Sequence, residues 1–324
     1  MKLLYCFAFL TIIFACQAIP EQEPKSVESP EEIVSIDKTA LVVLGTVQDA
    51  GSPHIGCKKD CCKNLFEIPD ASRKVVSLGL LLPESKEKYL FEATPDISEQ
   101  LEILHQYLPD HSSIVPDGIF LTHAHIGHYT GLMYLGREAL GARQAKVYAM
   151  PKMKTFLEEN GPWSQLITQE NILLKEMTNE QAISLSQDVQ VIPFRVPHRD
   201  EYSETVGYKI IGKNKKALFI PDIDKWEKWR ENIITEIAQV DYAFLDATFY
   251  DAAEINYRDI SEIPHPFIIE SMEKFAPLSK EEKNKIHFIH LNHTNPALDK
   301  TSIPTQKILE NGFHIAQMGQ VFEL

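Results

Sequence analysis

The stretch Leu121-Thr122-His123-Ala124-His125-Ile126-Gly127-His128-Tyr129-Thr130-Gly131-Leu132 constrains this chain more than any other. Three histidines fall within six residues, where a short apolar run at 118–121 hands over to a helical pattern. Neutral imidazole is a common ligand for zinc and iron. A strand-to-loop corner turns His123 and His125 to one side and His128 to another, so the spacing reads as a pincer for two metals. A single histidine here would read as a packed or surface residue; H-x-H-x-x-H at a strand end does not.

Such a corner needs further donors from distant sequence, and sheet proteins gather them at the tips of apolar strands. The chain alternates strands and helices without an internal repeat. Strands are expected at 40–46, 75–82 and 88–92, the last two an antiparallel pair around the polar turn at 84–87. A helix should start at Thr94-Pro95-Asp96, with Ile97, Leu101, Leu104 and Leu108 on its apolar face, and another should run over 129–140. Beyond a strand at 146–149 and helical pieces near 152–159, further strands are expected at 189–196, 204–211, 216–220, 242–245 and 285–291. Their ends carry His198, Asp222, Asp246 and His293. With 324 residues and 44% hydrophobic content the chain can bury a large core. Its net charge of -14 argues against charge-driven binding of DNA or RNA, so the expected substrate is a small molecule or peptide and no nucleic-acid partner is expected.

The N-terminus reads as a targeting segment. Lys2 supplies a positive charge, and the apolar run at 3–15 is short for a membrane span. Ile13-Phe14-Ala15-Cys16 is similar to the lipobox of bacterial lipoproteins, with cleavage after Ala18 the competing reading. Residues 1–16 are therefore expected to be a signal peptide, 17–38 a polar leader, and 39–324 the folded domain. The protein is expected to be exported and bacterial, periplasmic or held at the cell envelope, touching the membrane only through a lipid at Cys16. Three cysteines then remain, Cys57, Cys61 and Cys62. An odd cluster within six residues suits metal thiolates better than a disulfide framework. It reads as a closed structural zinc site, with His54 as the local candidate for fourth ligand and His290 as the remote one.

The ordered set His123-x-His125-x-x-His128, His198, Asp222 and His293 resembles the metallo-β-lactamase superfamily, over nearly all of the chain from residue 40 onwards. Within it, Leu44-Gly45-Thr46, the Cys57 cluster, Ala93-Thr94-Pro95-Asp96-Ile97, Glu204-Thr205-Val206-Gly207-Tyr208, Ile220-Pro221-Asp222-Ile223-Asp224-Lys225-Trp226 and Asn292-His293-Thr294-Asn295-Pro296 resemble the pyrroloquinoline quinone biosynthesis protein B group. The resemblance implies an αββα sandwich, two facing mixed sheets flanked by helices with metals in a cleft at one edge. It implies His123, His125 and His198 around one metal, His128 and His293 around another, and Asp222 bridging, with Asp222 and His293 taking part in catalysis. Glu92, Asp96, Asp224 and Asp246 are candidates to orient the ligand imidazoles. His265, between two prolines, is a further candidate for an acid or substrate contact.

One position departs from the superfamily pattern. The usual stretch is H-x-H-x-D-H, and Gly127 stands where its aspartate would bind the second metal. The outcomes are a two-metal site of altered affinity, a one-metal site, a redox metal, or a replacement carboxylate from elsewhere. The resulting expectation is an exported enzyme holding one or two divalent metals, zinc first and iron or manganese as alternatives, beside a structural zinc. Hydrolysis by a metal-bound hydroxide is the first reading. Iron-dependent oxidative chemistry related to quinone cofactor biosynthesis, and metal binding without catalysis, are the alternatives.

Overall fold

The computed structural model describes residues 35–255 and 263–324. The signal peptide, Cys16 and most of the polar leader lie outside the described residues. Six strands begin the fold: β1 (Ala40–Gly45), β2 (Ser77–Leu82), β3 (Glu87–Phe91), β4 (Gly118–Phe120), β5 (Ala145–Ala149) and β6 (Ile172–Glu176). Eight follow: β7 (Ile183–Ser184), β8 (Gln190–Arg195), β9 (Val206–Ile211), β10 (Lys216–Ile220), β11 (Tyr242–Asp246), β12 (Ile286–Ile289), β13 (His314–Ile315) and β14 (Val321–Glu323). They form two seven-stranded mixed sheets, ordered β14-β1-β2-β3-β4-β5-β6 and β13-β12-β11-β10-β9-β8-β7. The sheets face each other across a shared apolar layer in which Phe91 meets Tyr208 at 5.2 Å and Phe219 at 6.1 Å.

The outer faces are covered too, which is why β1, β10, β11 and β12 read as almost unbroken apolar runs. Helix α1 (Ile97–Tyr107) turns Ile97, Leu101 and Leu104 inward. The second sheet's outer face packs Leu218, Leu245 and Phe288 against Ile233, Ile268 and Ile308 from the helices beyond it. Pro193 is tolerated in β8 because its neighbour β7 pairs only with Gln190 and Val191, so no ladder partner needs the missing N–H.

The architecture is the sandwich expected, with local differences. The helix foreseen over 129–140 is a short α2 (Ile126–Tyr129) followed by a 3₁₀ turn over Thr130–Leu135. Gly131 is pressed against the backbone of Ala93 and Thr94, donating to the Ala93 carbonyl at 2.8 Å, and a side chain there would collide with it. Strand β6 went unrecognised because, as an edge strand, it buries only Ile172.

Strand direction places the site. β1 runs parallel to β3 through the antiparallel β2, β3 is parallel to β4, and β8 is parallel to β10 through β9. β10, β11 and β12 are parallel. Their C-terminal ends therefore open on one edge of the sandwich, where polar donors follow them.

Candidate metal centre

Each donor sits just beyond a strand. β4 delivers His123 and His125, β8 delivers His198, β10 delivers Asp222, and β12 delivers His290. The histidine corner is pinned across the sandwich: the Tyr208 hydroxyl donates to the Leu121 carbonyl, Val206 N–H to Thr122 O at 3.2 Å, and Ala124 N–H to Ser203 Oγ at 2.8 Å.

Three groups of donor atoms include Asp222: one joins it to Asp246, His265 and His290, and two contain histidines of the corner. His123, His125, His198 and Asp222 form one, with Asp222 Oδ2 at 3.3 Å from His123 Nε2, 3.9 Å from His125 Nδ1 and 3.2 Å from His198 Nε2. Asp49, His128, Asp222 and His290 form the other; Asp49 Oδ1 lies 2.8 Å from His128 Nε2 and 3.1 Å from His290 Nε2, and Asp222 Oδ2 is 3.9 Å from His128 Nε2. His123 Nε2 and His198 Nε2 are buried and make no hydrogen bond despite the nearby carboxylate. Buried polar atoms left unpaired are costly, and donor atoms aimed at a common point without bonding one another fit a divalent cation between them.

Three of the rings are hydrogen-bonded on the far side. Thr122 Oγ1 meets His123 Nδ1 at 2.8 Å, Asp224 meets His198 Nδ1 at 3.2 Å, and Thr248 Oγ1 meets His290 Nδ1 at 2.9 Å. Glu92, wholly buried, lies 3.5 Å from His128 Nδ1, and Glu201 lies 3.8 Å from His125 Nε2. Thr122, Asp224 and Thr248 orient their rings so that the other nitrogen faces the centre, whereas Glu92 and Glu201 lie near His128 and His125 without a hydrogen bond to them. His265 sits beside them, its Nδ1 2.8 Å from Asp246 Oδ2 and 3.2 Å from Asp222 Oδ1, while its Nε2 has no partner among the described residues. Glu92 and His290 adopt left-handed backbone, φ 76° and 66°, a strained conformation for side-chain-bearing residues and common at functional sites.

Charge explains the titration of this cluster. Burial and the neighbouring His128 push His123 well below the usual imidazole range. His198 is driven down by burial, but Asp222 and Asp224 overcome that and raise it to about 9. Against burial, His198 and His265 hold Asp222 well below the usual carboxylate range, and His128 and His290 do the same for Asp49. Without cations, imidazolium charges balance the carboxylates.

Several sequence-based assignments need correction. His293 is not in this cleft: it joins Cys57, Cys61 and Cys62, with Cys57 Sγ 3.9 Å from Cys61 Sγ and Cys61 Sγ 3.8 Å from Cys62 Sγ. The two histidine roles are exchanged, since His290, proposed as the remote fourth partner of the thiols, stands with Asp49 and His128. β12 ends at Ile289, two residues before the expected strand end, and the left-handed His290 sends its ring into the cleft while His293 continues outward. His54 lies against the His293 ring, centroids 4.3 Å apart and planes tilted by 32°, and donates its backbone N–H to Cys62 Sγ at 3.4 Å, so it supports the thiol group from beside it. Asp96 touches no ligand imidazole; it accepts the Val75 N–H at 2.7 Å and anchors the entry to β2.

Asp49 was not foreseen. A Cβ on Gly127 would lie 2.7 Å from Asp49 Cβ, 2.9 Å from its Cγ and nearer still to its Cα. The carboxylate missing from the histidine motif is thus supplied from the loop after β1, and the glycine makes room for it. The signal was available in retrospect: a glycine inside a ligand motif marks a close approach by other backbone.

Residues 87–288 match the model of the beta-lactamase superfamily domain, and the chain belongs to that family. Within it the chain is PqqB-like. It is 24% identical over 313 residues to coenzyme PQQ synthesis protein B of Methylorubrum extorquens, covering 88% of this chain and 99% of the relative. Zn(2+)-bound PqqB from Methylobacterium extorquens superposes with a TM-score of 0.73 at 20% identity, covering 88% of this chain and all of that one. A diphosphatase from the PhnP family superposes at 0.59 with 23% identity, covering 89% and 97%. Human tRNase Z, short form, superposes at 0.52 with 14% identity, covering 88% and 98%. These likenesses share the fold.

Proposed function

We propose that this protein is a metal-dependent hydrolase acting on a small molecule or peptide at the cleft around Asp222. The single observation that carries the reading is the position of Asp222, one carboxylate shared between two groups of histidines. His123, His125 and His198 would hold one cation, Asp49, His128 and His290 a second, and Asp222 would bridge them. Cations held by these residues would supply Lewis acidity and lower the pKa of a water beside Asp222. The chain's own residues then orient and exclude. Asp224, Thr122 and Thr248 fix the ring orientations, and Asp246 holds the Nδ1 proton of His265. That leaves His265 Nε2 free to carry a proton to a leaving group. The apolar run after Lys2 supports export, and the thiol group with His293 supports a structural zinc.

A second reading has a specific basis as well. The donor set is entirely imidazole and carboxylate, which also suits iron, and relatives are named for PQQ synthesis. One experiment separates the readings. Purified full-length protein is assayed for bound zinc, iron and manganese and for turnover of ester, lactam, phosphodiester and diphosphate probes, with His123→Ala as control. Chelator-sensitive hydrolysis abolished by His123→Ala is expected. Bound iron with oxygen uptake would establish the oxidative reading instead, and bound metal without turnover of any probe would overturn the enzymatic assignment.

A further inference from the structure

Residues 46–74, between β1 and β2, contain no α-helix or extended strand, and between Gln48 and Lys74 only Ser52 and Cys62 are buried. Its large apolar side chains face solvent, with Ile55 84%, Phe66 58% and Ile68 75% exposed. A loop this long without secondary structure or a core of its own needs another source of order. Yet it carries Asp49, which must hold its carboxylate against His128 and His290 to within hydrogen-bond distance.

The loop's two ends are tied together where Thr46 and Val47 N–H donate to Lys74 O at 2.9 Å and Arg73 Nη1 to Ser52 Oγ at 3.0 Å, and beyond that the loop is attached twice to residues 290–295. At the root, Gln48 N–H donates to Leu291 O at 2.9 Å and Leu291 N–H to Thr46 O at 2.8 Å. At the tip, Cys57, Cys61 and Cys62 close around His293, and the His54 ring lies on the His293 ring. Asp49 lies between root and tip on its strap, and His290 directly precedes the root residue Leu291 on the other. His293 is steadied in turn by Asn292 Oδ1 at 3.0 Å, and Asn292 N–H by Thr248 O at 2.9 Å. The donors of the other group come from different elements: His123 and His125 from the corner pinned by Tyr208 and Ser203, and His198 from the segment held by Asp224.

We propose that the Cys57/Cys61/Cys62/His293 site is a clamp on the second metal position: metal in the thiolate site fixes Asp49 and His290, and its loss weakens that position selectively. The inference rests on the reading that Asp49, His128, Asp222 and His290 hold a cation, but not on what reaction follows. Removing partners that orient metal ligands costs on the order of 10- to 100-fold in metal affinity, so an effect of that size belongs to the second position and little to the first.

The test is a cobalt titration of the full-length protein, followed by the thiolate-to-cobalt absorption and by competition with a chromophoric chelator. Asp49→Ala identifies the binding step of the second position. His293→Ala should abolish the thiolate band and weaken the Asp49-dependent step at least about tenfold, leaving the His123-dependent step within about twofold. His293→Cys, which restores a fourth donor, should recover both signals. In wild-type protein a mercurial that ejects the thiolate metal should release the second metal and spare the first, and this arm requires no variant to fold. An Asp49-dependent step unchanged by loss of the thiolate metal, equal weakening of both steps, or no recovery in His293→Cys would overturn the clamp. A wild type without a thiolate band or without an Asp49-dependent step would overturn it too. Absence of hydrolysis, by contrast, would remove the proposed function and leave these affinities to stand.

Discussion

Gly127 and Asp49 make a reciprocal pair, and exchanging them tests how the cleft is built. In Gly127→Ala, the new methyl would meet Asp49 Cβ at 2.7 Å and Cγ at 2.9 Å, where ordinary contact begins at 3.4 Å. The Asp49 segment must retreat by roughly 0.5–1 Å, as overlap of this depth cannot be absorbed without movement. Its Oδ1 contacts of 2.8 Å to His128 and 3.1 Å to His290 would open by a similar amount. Overpacking of this kind costs about 1–3 kcal/mol, which corresponds to roughly 5- to 150-fold in the affinity of the second position if the cost falls on the bound geometry. Gly127→Asp alone should be at least as damaging, because it adds a carboxylate without removing the one in its way. The double change Asp49→Gly with Gly127→Asp moves the carboxylate back into the histidine motif and should recover most of the loss, with a coupling of about 1–3 kcal/mol. Stepwise metal affinities by competition with a chromophoric chelator give the four corners of the cycle. Wild-type affinity in Gly127→Ala, or a double variant no better than Gly127→Asp, would refute the idea that one carboxylate replaces the other.

Three further outcomes are expected. Metal binding should release protons: His198 stands near 9 without metal, so loading its Nε2 costs up to about tenfold in apparent affinity per pH unit as pH falls from 9 toward 6.5, and calorimetry in buffers of differing ionisation enthalpy reads the protons directly. A flat pH dependence would contradict it. His287, buried on β12 with its Nδ1 unpaired, is pushed down to about 3 by burial and by His314. Its neutral form is favoured in the fold, so it contributes stability above pH 6.5 that is lost as pH falls toward 3, about 4–5 kcal/mol at the upper limit; acid denaturation of His287→Phe should show a shallower slope over that window. Tyr208→Phe should cost about 1–3 kcal/mol in urea unfolding by stranding the buried Leu121 carbonyl. It should also weaken the first metal position, because that carbonyl anchors the corner bearing His123.

The strands and the sandwich were legible because alternating and continuous apolar runs report burial directly, and the histidine corner, His198 and Asp222 were legible because each follows such a run. What escaped was register in loops. His290 and His293 lie three residues apart in one segment, both chemically fit for either metal group, and sequence pattern carries no signal for which ring turns inward. The backbone decides it, through a left-handed residue at 290 that no propensity would place there. Asp49 escaped for a related reason: an aspartate before a glycine-containing turn reads as a turn residue, and only the approach of its backbone to Gly127 gives it another role. Asp96 was the opposite error, an acidic residue beside family-like sequence that serves a backbone N–H.

The carboxylates also limit what the cleft can be in the absence of catalysis. Glu92 and Asp246 are wholly buried, Asp222 nearly so, and Asp49 faces His128 and His290, the histidines that Glu92 and Asp246 also approach. Burying charge is expensive unless it is compensated, and the metal-free chain compensates by keeping protons on His128, His198, His265 and His290, all raised by those acids against the opposing effect of burial. That arrangement stabilises the fold only while the protons remain: for His198 the contribution is complete below pH 6.5 and lost as pH climbs through about 9. Divalent cations would balance the same carboxylates without needing those protons, so the pH at which metal-free protein weakens is the pH at which loaded protein is held best. A packed structural cluster would gain nothing from that opposition, since apolar side chains of similar volume would stabilise the sandwich edge as well or better. The buried acids and their paired imidazoles are thus best explained as a binding site that the fold tolerates.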